Sequence, residues 1–255
     1  MKSKKFVKWL LLILLAAAAL YVGDMFLGNP ISRLRVKQHA EYYLEEAYPG
    51  QLQLQMGDIS YDWYSGGGYE IKVISPVSRD THFQLRYDRL GSFAQDTYDL
   101  AVASGNNTLS RLDAEYEAAV RNALRDIPED DRCITGLSSL DPYSGESVPL
   151  ERGIDPKQLT LNEEYNAAAL GREYGYLVLT LLVAQEELTL EKAADYLLAV
   201  KAAMDKAGVG FSGAELFLTV RESEDPWDSI ALNMVAYEDL ERENLPEYLR
   251  KFVIK

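Results

Sequence analysis

Gly175–Ala184 (GYLVLTLLVA) and Thr189–Gly208 (TLEKAADYLLAVKAAMDKAG) decide the fold class of this chain. The first segment is a continuous apolar run of strand length and predicts a buried strand, although its leucines and alanines also suit a helix. The second begins at an N-cap threonine and ends at a glycine, and its apolar residues recur at helical spacing. They form one predicted inner face, made of Leu190, Ala193, Ala194, Leu197, Val200 and Met204. A strand followed by an amphipathic helix places this half of the chain in an α+β domain.

The rest of the second half fits the same domain. Alternating apolar residues predict strands over 214–220 and 230–236. Thr160-Leu-Asn-Glu163 is a capping box that predicts a helix, and Leu245–Phe252 predicts a closing helix with a proline in its first turn. Residues 159–255 are therefore predicted as domain 2, with the element order (α)-β-α-β-β-α.

The first half predicts another α+β domain, residues 31–126. Arg33–Tyr48 has a helical pattern, with an apolar face made of Val36, Ala40, Tyr43, Leu44 and Ala47. Period-2 alternation and helical spacing then predict strands within 52–63, 69–73 and 81–88 and helices over 92–104 and 110–126. The order is α-β-β-β-α. Residues 127–158 lack periodicity and are predicted as an irregular linker with room for one short strand.

The N-terminus predicts a membrane anchor. Four lysines, at 2, 4, 5 and 8, precede an apolar run from Trp9 to Val22, and a basic flank of this kind stays in the cytoplasm. Residues 1–30 are therefore predicted as an N-terminal membrane anchor. Its single transmembrane helix contacts the lipid bilayer within residues 6–27, with the N-terminus inside and the body outside. A spanning helix needs about 20 residues, so a cleaved signal segment and a secreted body are the alternative.

The charge of the body limits its partners. The whole chain carries a formal charge of −14, and residues 31–255 alone carry −17, from 22 basic and 39 acidic side chains. Such a field repels nucleic acid, so no nucleic-acid partner is expected, and it attracts basic partners. Cys133 is the only cysteine, which excludes an intramolecular disulfide.

Several residue types that carry chemistry elsewhere lack the required context here. His39 and His82 are the only histidines, and no HxxxH or HExxH spacing exists. Ser65–Gly68 is glycine-rich but lacks the lysine and helix start of a phosphate loop. Cys133 adjoins acidic residues that oppose a reactive thiolate. The two histidines, the glycine-rich turn and the cysteine are all interpreted as residues without a functional role.

Three further sequence patterns have a functional interpretation as well as a structural one. Glu222–Asp228 places four carboxylates in one turn, which suits calcium, but the spacing is not that of an EF-hand loop. The aromatic set Tyr61, Trp63, Tyr64 and Tyr69 flanks a turn and is able to bind a sugar or a peptide, although aromatic residues more often cover a sheet. Asp58 and Asp62 form an i, i+4 carboxylate pair of the kind found in hydrolases, without further support.

The chain resembles a known family at several segments: YLEEAYP (Tyr43–Pro49), DISYDW (Asp58–Trp63), LRYDR (Leu85–Arg89), EKAADYLLAVKAAMDKAGV (Glu191–Val209) and DPWDSIALNMVAYEDL (Asp225–Leu240). It is similar to the YfjL-like proteins, small anchored extracytoplasmic proteins of Gram-positive bacteria. This resemblance implies two α+β domains outside a membrane and no established activity. The element order of the first domain is also similar to that of PepSY- or cystatin-like modules, at the level of fold alone.

These observations predict a function without catalysis. We expect no catalytic residues, no cofactor and no metal site. The leading interpretation is a membrane-tethered extracytoplasmic protein that binds an unknown envelope protein. The alternative is an accessory or inhibitor module of an envelope enzyme, by analogy with PepSY or cystatin modules.

Overall fold

The computed structural model describes residues 8–15, 18, 22–23, 26, 28–50, 53–64, 67–127, 134–137, 153–221 and 229–254. It divides into two compact units, Met1–Asn107 and Thr108–Lys255. Each unit contains one four-stranded sheet. The predicted α+β class is therefore confirmed.

Unit 1 is an antiparallel sheet with a helix on one face. Its elements are α1 (Pro30–Ala47), β1 (Gln55–Tyr61), β2 (Gly68–Ser75), β3 (Ser78–Asp88), β4 (Phe93–Asp96), a π-helical turn (Asp99–Ala103) and the start of α2 (Asn106–Ala123). The strands lie in the order β1-β2-β3-β4. Asn29 caps α1, because its Oδ1 accepts the Ile31 N–H at 2.8 Å.

The core of unit 1 lies between α1 and the sheet. Val36, Ala40 and Leu44 are buried on α1, as the helical pattern predicts, whereas Ala47 is exposed. Alternate residues of the β2–β3 hairpin meet them, namely Tyr69, Ile71, Val73, Phe83, Leu85 and Tyr87. The register pairs Tyr69 with Tyr87 and Ile71 with Leu85. The other face of the hairpin is polar, in agreement with the period-2 pattern.

The prediction of a helix over 92–104 is wrong for its first half. Residues 93–96 form β4, which pairs with β3 through Arg86 and Gln95. The turn before it is built by Asp88, whose Oδ1 accepts the N–H groups of Leu90 and Ser92 at 2.8 Å each. Gly91 adopts φ +84°, which favours glycine. This hairpin returns the chain to the sheet, and only the residues after it are helical.

Unit 2 is a mixed sheet packed against helices. Its elements are most of α2, then β5 (Ile134–Gly136), α3 (Ala167–Tyr174), β6 (Tyr176–Val183), α4 (Leu190–Ala207), β7 (Gly213–Val220), β8 (Ser229–Ala236) and α5 (Leu245–Leu249). The order is β5-β6-β7-β8. β6 and β7 are parallel and are joined through α4, while the other pairs are antiparallel. The predicted strands and the long helix of this half agree with these bounds.

Local caps explain where the helices of unit 2 begin. Thr189 Oγ1 accepts the Lys192 N–H at 3.1 Å, and Gly208 ends α4 with φ +68°. The capping box predicted at 160–163 does not open a helix. Asn162 has φ +62° there, and α3 begins later, where Asn166 Oδ1 accepts the Ala169 N–H at 3.1 Å.

Helix α2 contributes to the core of unit 2. Leu112, Tyr116 and Val120 are fully buried, in the same hydrophobic cluster as residues of β6, α4 and β7. The helix predicted at 110–126 as the end of the first domain thus packs within the second unit. A helix that is amphipathic in sequence does not itself specify which sheet it covers.

The predicted transmembrane helix is contradicted. Residues 8–15, 18, 22–23 and 26 are helical. Among the residues that the structure describes, no helix is both long and apolar enough to cross a membrane. The predicted single-pass localisation at the cell membrane is corrected on the same finding.

Candidate functional site

The aromatic set predicted around the first turn of the sheet separates into two pairs. Tyr61 and Tyr69 are used in packing, with ring centroids 5.1 Å apart. The Tyr69 hydroxyl accepts the Asn29 N–H at 2.7 Å and donates to the Asn29 carbonyl at 2.9 Å. A Cβ at Gly28 would lie 2.7 Å from the Tyr61 ring. This pair therefore holds the chain segment that leads into α1.

Trp63 and Tyr64, in contrast, point to solvent. Their side chains are 55% and 85% exposed, and the two rings meet edge to face at 5.9 Å. The turn that carries them is ordered by Asp62, whose Oδ1 accepts the Tyr64 N–H at 3.0 Å while its own N–H donates to Gly68 O at 2.9 Å. Phe26 lies 5.4 Å from the Trp63 ring. We call Trp63 and Tyr64 the aromatic turn.

The paired carboxylates and the two histidines lie on different elements of unit 1. Asp58 lies in the bulge of β1, where the pairing register shifts between Met56 and Ile59, and Asp62 orders the aromatic turn. His39 is exposed on α1. The pKa of His82 is lowered, first by burial and then by Lys72. Within the described ranges, no group of three or more histidine, cysteine, aspartate or glutamate side chains is arranged to hold a metal.

Three of the predicted candidates lie outside the described residues. They are Cys133, the acidic turn Glu222–Asp228, and Ser65-Gly66 of the glycine-rich turn. Gly67 is described and has φ +82°. Gly68 begins β2.

A cleft of about 410 Å³ lies at the carboxyl ends of the parallel strands β6 and β7. Its lining is mostly apolar, with Gln185, Glu187 and Arg221 at the rim. The Glu187 carboxylate already has partners within the unit, because it accepts the Ala184 N–H at 3.4 Å and pairs with Lys192 at 2.8 Å. These contacts, that with Lys192 first, lower the pKa of Glu187. The carboxylate is thus held in its charged form and is unsuited to act as an acid near neutral pH.

A second constellation, which sequence reasoning missed, surrounds Asp96 in unit 1. Asp96 Oδ2 accepts the hydroxyls of Tyr43 at 2.8 Å and Tyr48 at 2.7 Å, and Oδ1 accepts the Tyr98 N–H at 2.7 Å. The rings of Tyr43 and Tyr48 belong to a connected set of six, with centroids of contacting rings 4.7–6.3 Å apart; the six are Tyr43, Tyr48, Phe83, Tyr87, Phe93 and Tyr98. We call these residues the Asp96 cluster.

The tyrosines of the Asp96 cluster are strongly held in their neutral form. Burial, followed by the hydrogen bond to Asp96, raises the pKa of Tyr43 to about 12. The same two causes raise the pKa of Tyr48 further. Burial and the charge of Asp96 raise the pKa of Tyr87 to about 12. A carboxylate opposes a nearby phenolate, so these hydroxyls remain hydrogen-bond donors throughout the physiological range.

Unit 2 holds two tyrosine–aspartate contacts of a different kind. Tyr237 donates to Asp205 Oδ1 at 2.6 Å, and Lys201 Nζ lies 2.8 Å from Asp205 Oδ2 and 4.4 Å from the centroid of the Tyr237 ring. Arg172 Cζ lies 3.5 Å from the same centroid. Burial would raise the pKa of Asp205, but hydrogen bonds from Lys201 and Tyr237 outweigh it and lower that pKa. This carboxylate is thus neutralised within the unit.

Asp239 repeats the arrangement. Its Oδ1 accepts Tyr248 Oη at 2.8 Å and Arg242 Nε at 2.9 Å. The Arg242 guanidinium and the Lys251 ammonium each lie 4.1 Å from the centroid of the Tyr248 ring. In unit 2, both tyrosine–aspartate pairs therefore have two cations at the tyrosine ring.

The comparison with known families decides membership. Residues 3–92 match the YfjL-like N-terminal domain, and residues 115–250 match the YfjL-like C-terminal domain. The chain belongs to the YfjL-like family. No curated protein and no solved structure matches it. In this YfjL-like protein the aromatic turn lies inside the N-terminal match, whereas Asp96 lies between the two matched segments.

Proposed function

We propose that this YfjL-like protein is a non-enzymatic module that binds a protein partner through the aromatic turn. The observation that carries the proposal is the exposure of Trp63 and Tyr64, 55% and 85%, on a turn ordered by Asp62. Tryptophan and tyrosine dominate the binding energy of protein interfaces, because each places a large, rigid apolar surface in the contact. Two such rings in edge-to-face contact lose little conformational freedom on binding.

The edges of the unit 1 sheet favour side-chain recognition over strand addition. β1 carries a bulge between Met56 and Ile59, and Arg33 Nη2 donates to the Ile59 carbonyl at 3.0 Å. β4 is only four residues long, and the register shifts opposite it between Arg86 and Tyr87. Bulges, charged side chains and short strands reduce pairing with another chain. A partner is thus expected to contact exposed side chains, and the acidic body favours a basic one.

The test is site-specific crosslinking in the full chain. A photoreactive phenylalanine replaces Tyr64 in one variant and Leu100, which is exposed elsewhere in unit 1, in the other. We expect a discrete crosslinked protein from position 64 alone. Trp63→Ala should then weaken binding of that purified protein by about thirtyfold, the effect of a typical hot-spot residue. Leu100→Ala is the matched control and should leave the affinity unchanged.

The opposite results would exclude this surface. Equal crosslinking at positions 64 and 100 would indicate a nonspecific contact, and unchanged affinity in Trp63→Ala would remove the aromatic turn from the interface. Melting temperatures of both alanine variants, compared with that of the natural chain, check that the fold is retained. Inhibition or activation of a captured enzyme would favour the accessory-module alternative.

A further inference from the structure

The charge of Asp96 lacks a cationic partner in the described part of the chain. Two tyrosine hydroxyls and one backbone N–H occupy its oxygens. A carboxylate offers about four acceptor positions, so one further donor can be accommodated. Neither lysine nor arginine lies within ion-pair distance of Asp96 among the described residues. A partly buried carboxylate without a cation is an unfavourable arrangement that a bound cation would relieve.

Tyr87 provides a second, independent observation. Its side chain is 3% exposed, and its hydroxyl has no hydrogen-bond partner among the described residues. In the β3–β4 pair Asp96 lies opposite Leu85, two residues before Tyr87, and Tyr87 lies opposite Phe93. Burial and then the charge of Asp96 raise the pKa of Tyr87. A buried hydroxyl without a partner is destabilising, because it loses the hydrogen bonds that it makes with water in the unfolded chain. One ligand with more than one N–H would satisfy both the hydroxyl and the remaining acceptor of Asp96.

The contacts around Asp205 show which chemical group suits a tyrosine–aspartate pair in this protein. There Lys201 Nζ contacts both the aspartate oxygen, at 2.8 Å, and the face of the tyrosine ring, at 4.4 Å. An ammonium group thus fits a tyrosine–aspartate pair in this same protein. The Asp96 cluster has the carboxylate, the hydroxyls and the rings, but no residue of the described ranges supplies it with an ammonium group.

We propose that the Asp96 cluster is a binding site for a primary ammonium group, supplied by a lysine side chain of a partner or by a small free amine. Aromatic rings around a carboxylate favour such cations over the strongly hydrated sodium ion. Asp96 is partly exposed, and Phe93 at the surface of the cluster is 47% exposed. The formal charge of the whole chain, −14, further concentrates cations at this surface. The site is separate from the aromatic turn and stands if that interface fails.

The test is a titration of the ¹⁵N-labelled full chain, followed by amide chemical shifts. The probes are n-butylammonium, a lysine-containing tripeptide with blocked ends, tetramethylammonium and sodium, all as chlorides at constant ionic strength. We expect saturable shifts at residues 93–98 with n-butylammonium. Asp96→Asn should weaken this binding at least tenfold. Asp239→Asn is the matched control, because Asp239 has its own cations, and should leave it unchanged.

Each probe and variant distinguishes the proposed ammonium site from an alternative explanation. Binding of the tripeptide as well as n-butylammonium would identify a lysine side chain as the ligand, and binding of n-butylammonium alone would identify a small amine. Equal shifts with sodium, or equal affinity for tetramethylammonium, would overturn the primary ammonium. Saturable binding that survives Asp96→Asn would overturn the site. If that variant does not fold, Tyr87→Phe replaces it and should weaken n-butylammonium several-fold.

Discussion

Both units of this protein hold a carboxylate with tyrosine hydroxyls, but they balance its charge differently. Asp205 in unit 2 has Lys201 at 2.8 Å and Arg172 stacked on the same tyrosine, whereas Asp96 in unit 1 has six rings and three hydrogen bonds. The first arrangement balances the charge of Asp205 within the unit. The second retains the buried Tyr87 hydroxyl, which has no hydrogen-bond partner in the part of the chain that the structure describes. A tyrosine–aspartate pair can therefore either stabilise the fold or remain available to a ligand, depending on whether a cation lies beside it.

The largest loss of stability is expected at Gly171, where helix α3 approaches the backbone near Gly210 closely, next to Arg172. Gly171 precedes Arg172, and a Cβ there would lie 2.2 Å from the Gly210 carbonyl oxygen and 2.4 Å from the Tyr116 ring. Gly171→Ala should reduce the free energy of unfolding by about 3 kcal/mol, since backbone must move to admit the methyl group. Urea denaturation measures the loss. Ala169→Ser, exposed on the same helix, is the control, and a loss no greater than in that control would contradict the close approach.

The next effect concerns the complete cluster itself. Asp205→Asn removes the charge that Lys201 and Arg172 balance, although the amide oxygen still accepts the Tyr237 hydroxyl. We expect a loss of about 2 kcal/mol, typical of hydrogen bonds to charged groups, in the urea transition of unit 2. Lys192→Met, which removes an exposed ion pair with Glu187, serves as the comparison and should cost less than about 1 kcal/mol. If both variants lose the same amount, the Asp205 cluster is no more stabilising than a surface pair.

The corresponding change in unit 1 should be smaller. Asp96→Asn preserves an acceptor for Tyr43 and Tyr48 and removes a charge that lacks a cation among the described residues, but its Nδ2 replaces the oxygen that accepts the Tyr98 N–H. We therefore expect a loss of about 1 kcal/mol in the absence of ligand, that of one hydrogen bond. A loss equal to that of Asp205→Asn, measured under the same urea conditions, would mean that the two clusters do not differ and would break the comparison.

The smallest effect is expected on the alkaline pH at which Tyr43 and Tyr87 of unit 1 ionise. The pKa values of Tyr43 and Tyr87 are about 12 in the fold, above the value of about 10 in an unfolded chain. A raised phenol pKa adds stability that is fully present below pH 10 and is lost as the pH rises towards 12. Absorbance at 295 nm during alkaline titration measures these ionisations. Asp96→Asn should lower both midpoints only in part, because burial is the larger cause; unchanged midpoints would contradict the role of the Asp96 charge.

Elements with local signals were predictable from the sequence. Helix α4 agrees with its prediction because the cap at Thr189, the glycine at 208 and an apolar face all lie within one segment. Strand β6 follows from its continuous apolar run. The helix predicted over 92–104 fails because the hairpin depends on Asp88 and Gly91, which lie before the segment whose spacing suggested a helix.

The candidate sites were predictable only in part. The aromatic set around the first turn was identified, but its separation into packed Tyr61 and Tyr69 and exposed Trp63 and Tyr64 depends on the segment at Gly28 and Asn29. The Asp96 cluster was not identified at all. Its tyrosines come from α1 and the C-cap residue of that helix, from β3, and from the second residue after β4. The 17 tyrosines in the chain gave no indication of which would meet.

The α+β class, most helix and strand bounds and the acidic body could be read from the sequence, because they follow from periodicity, caps or composition, which act over a few residues or over the whole chain. The YfjL-like family was indicated by resemblance and is shown by the two family matches. Only the tertiary structure decided which sheet α2 covers, which aromatic rings face solvent, and that Asp96 meets Tyr43 and Tyr48 while Asp205 meets Lys201. Those outcomes depend on contacts between residues far apart in the chain, which the spacing of neighbours does not encode.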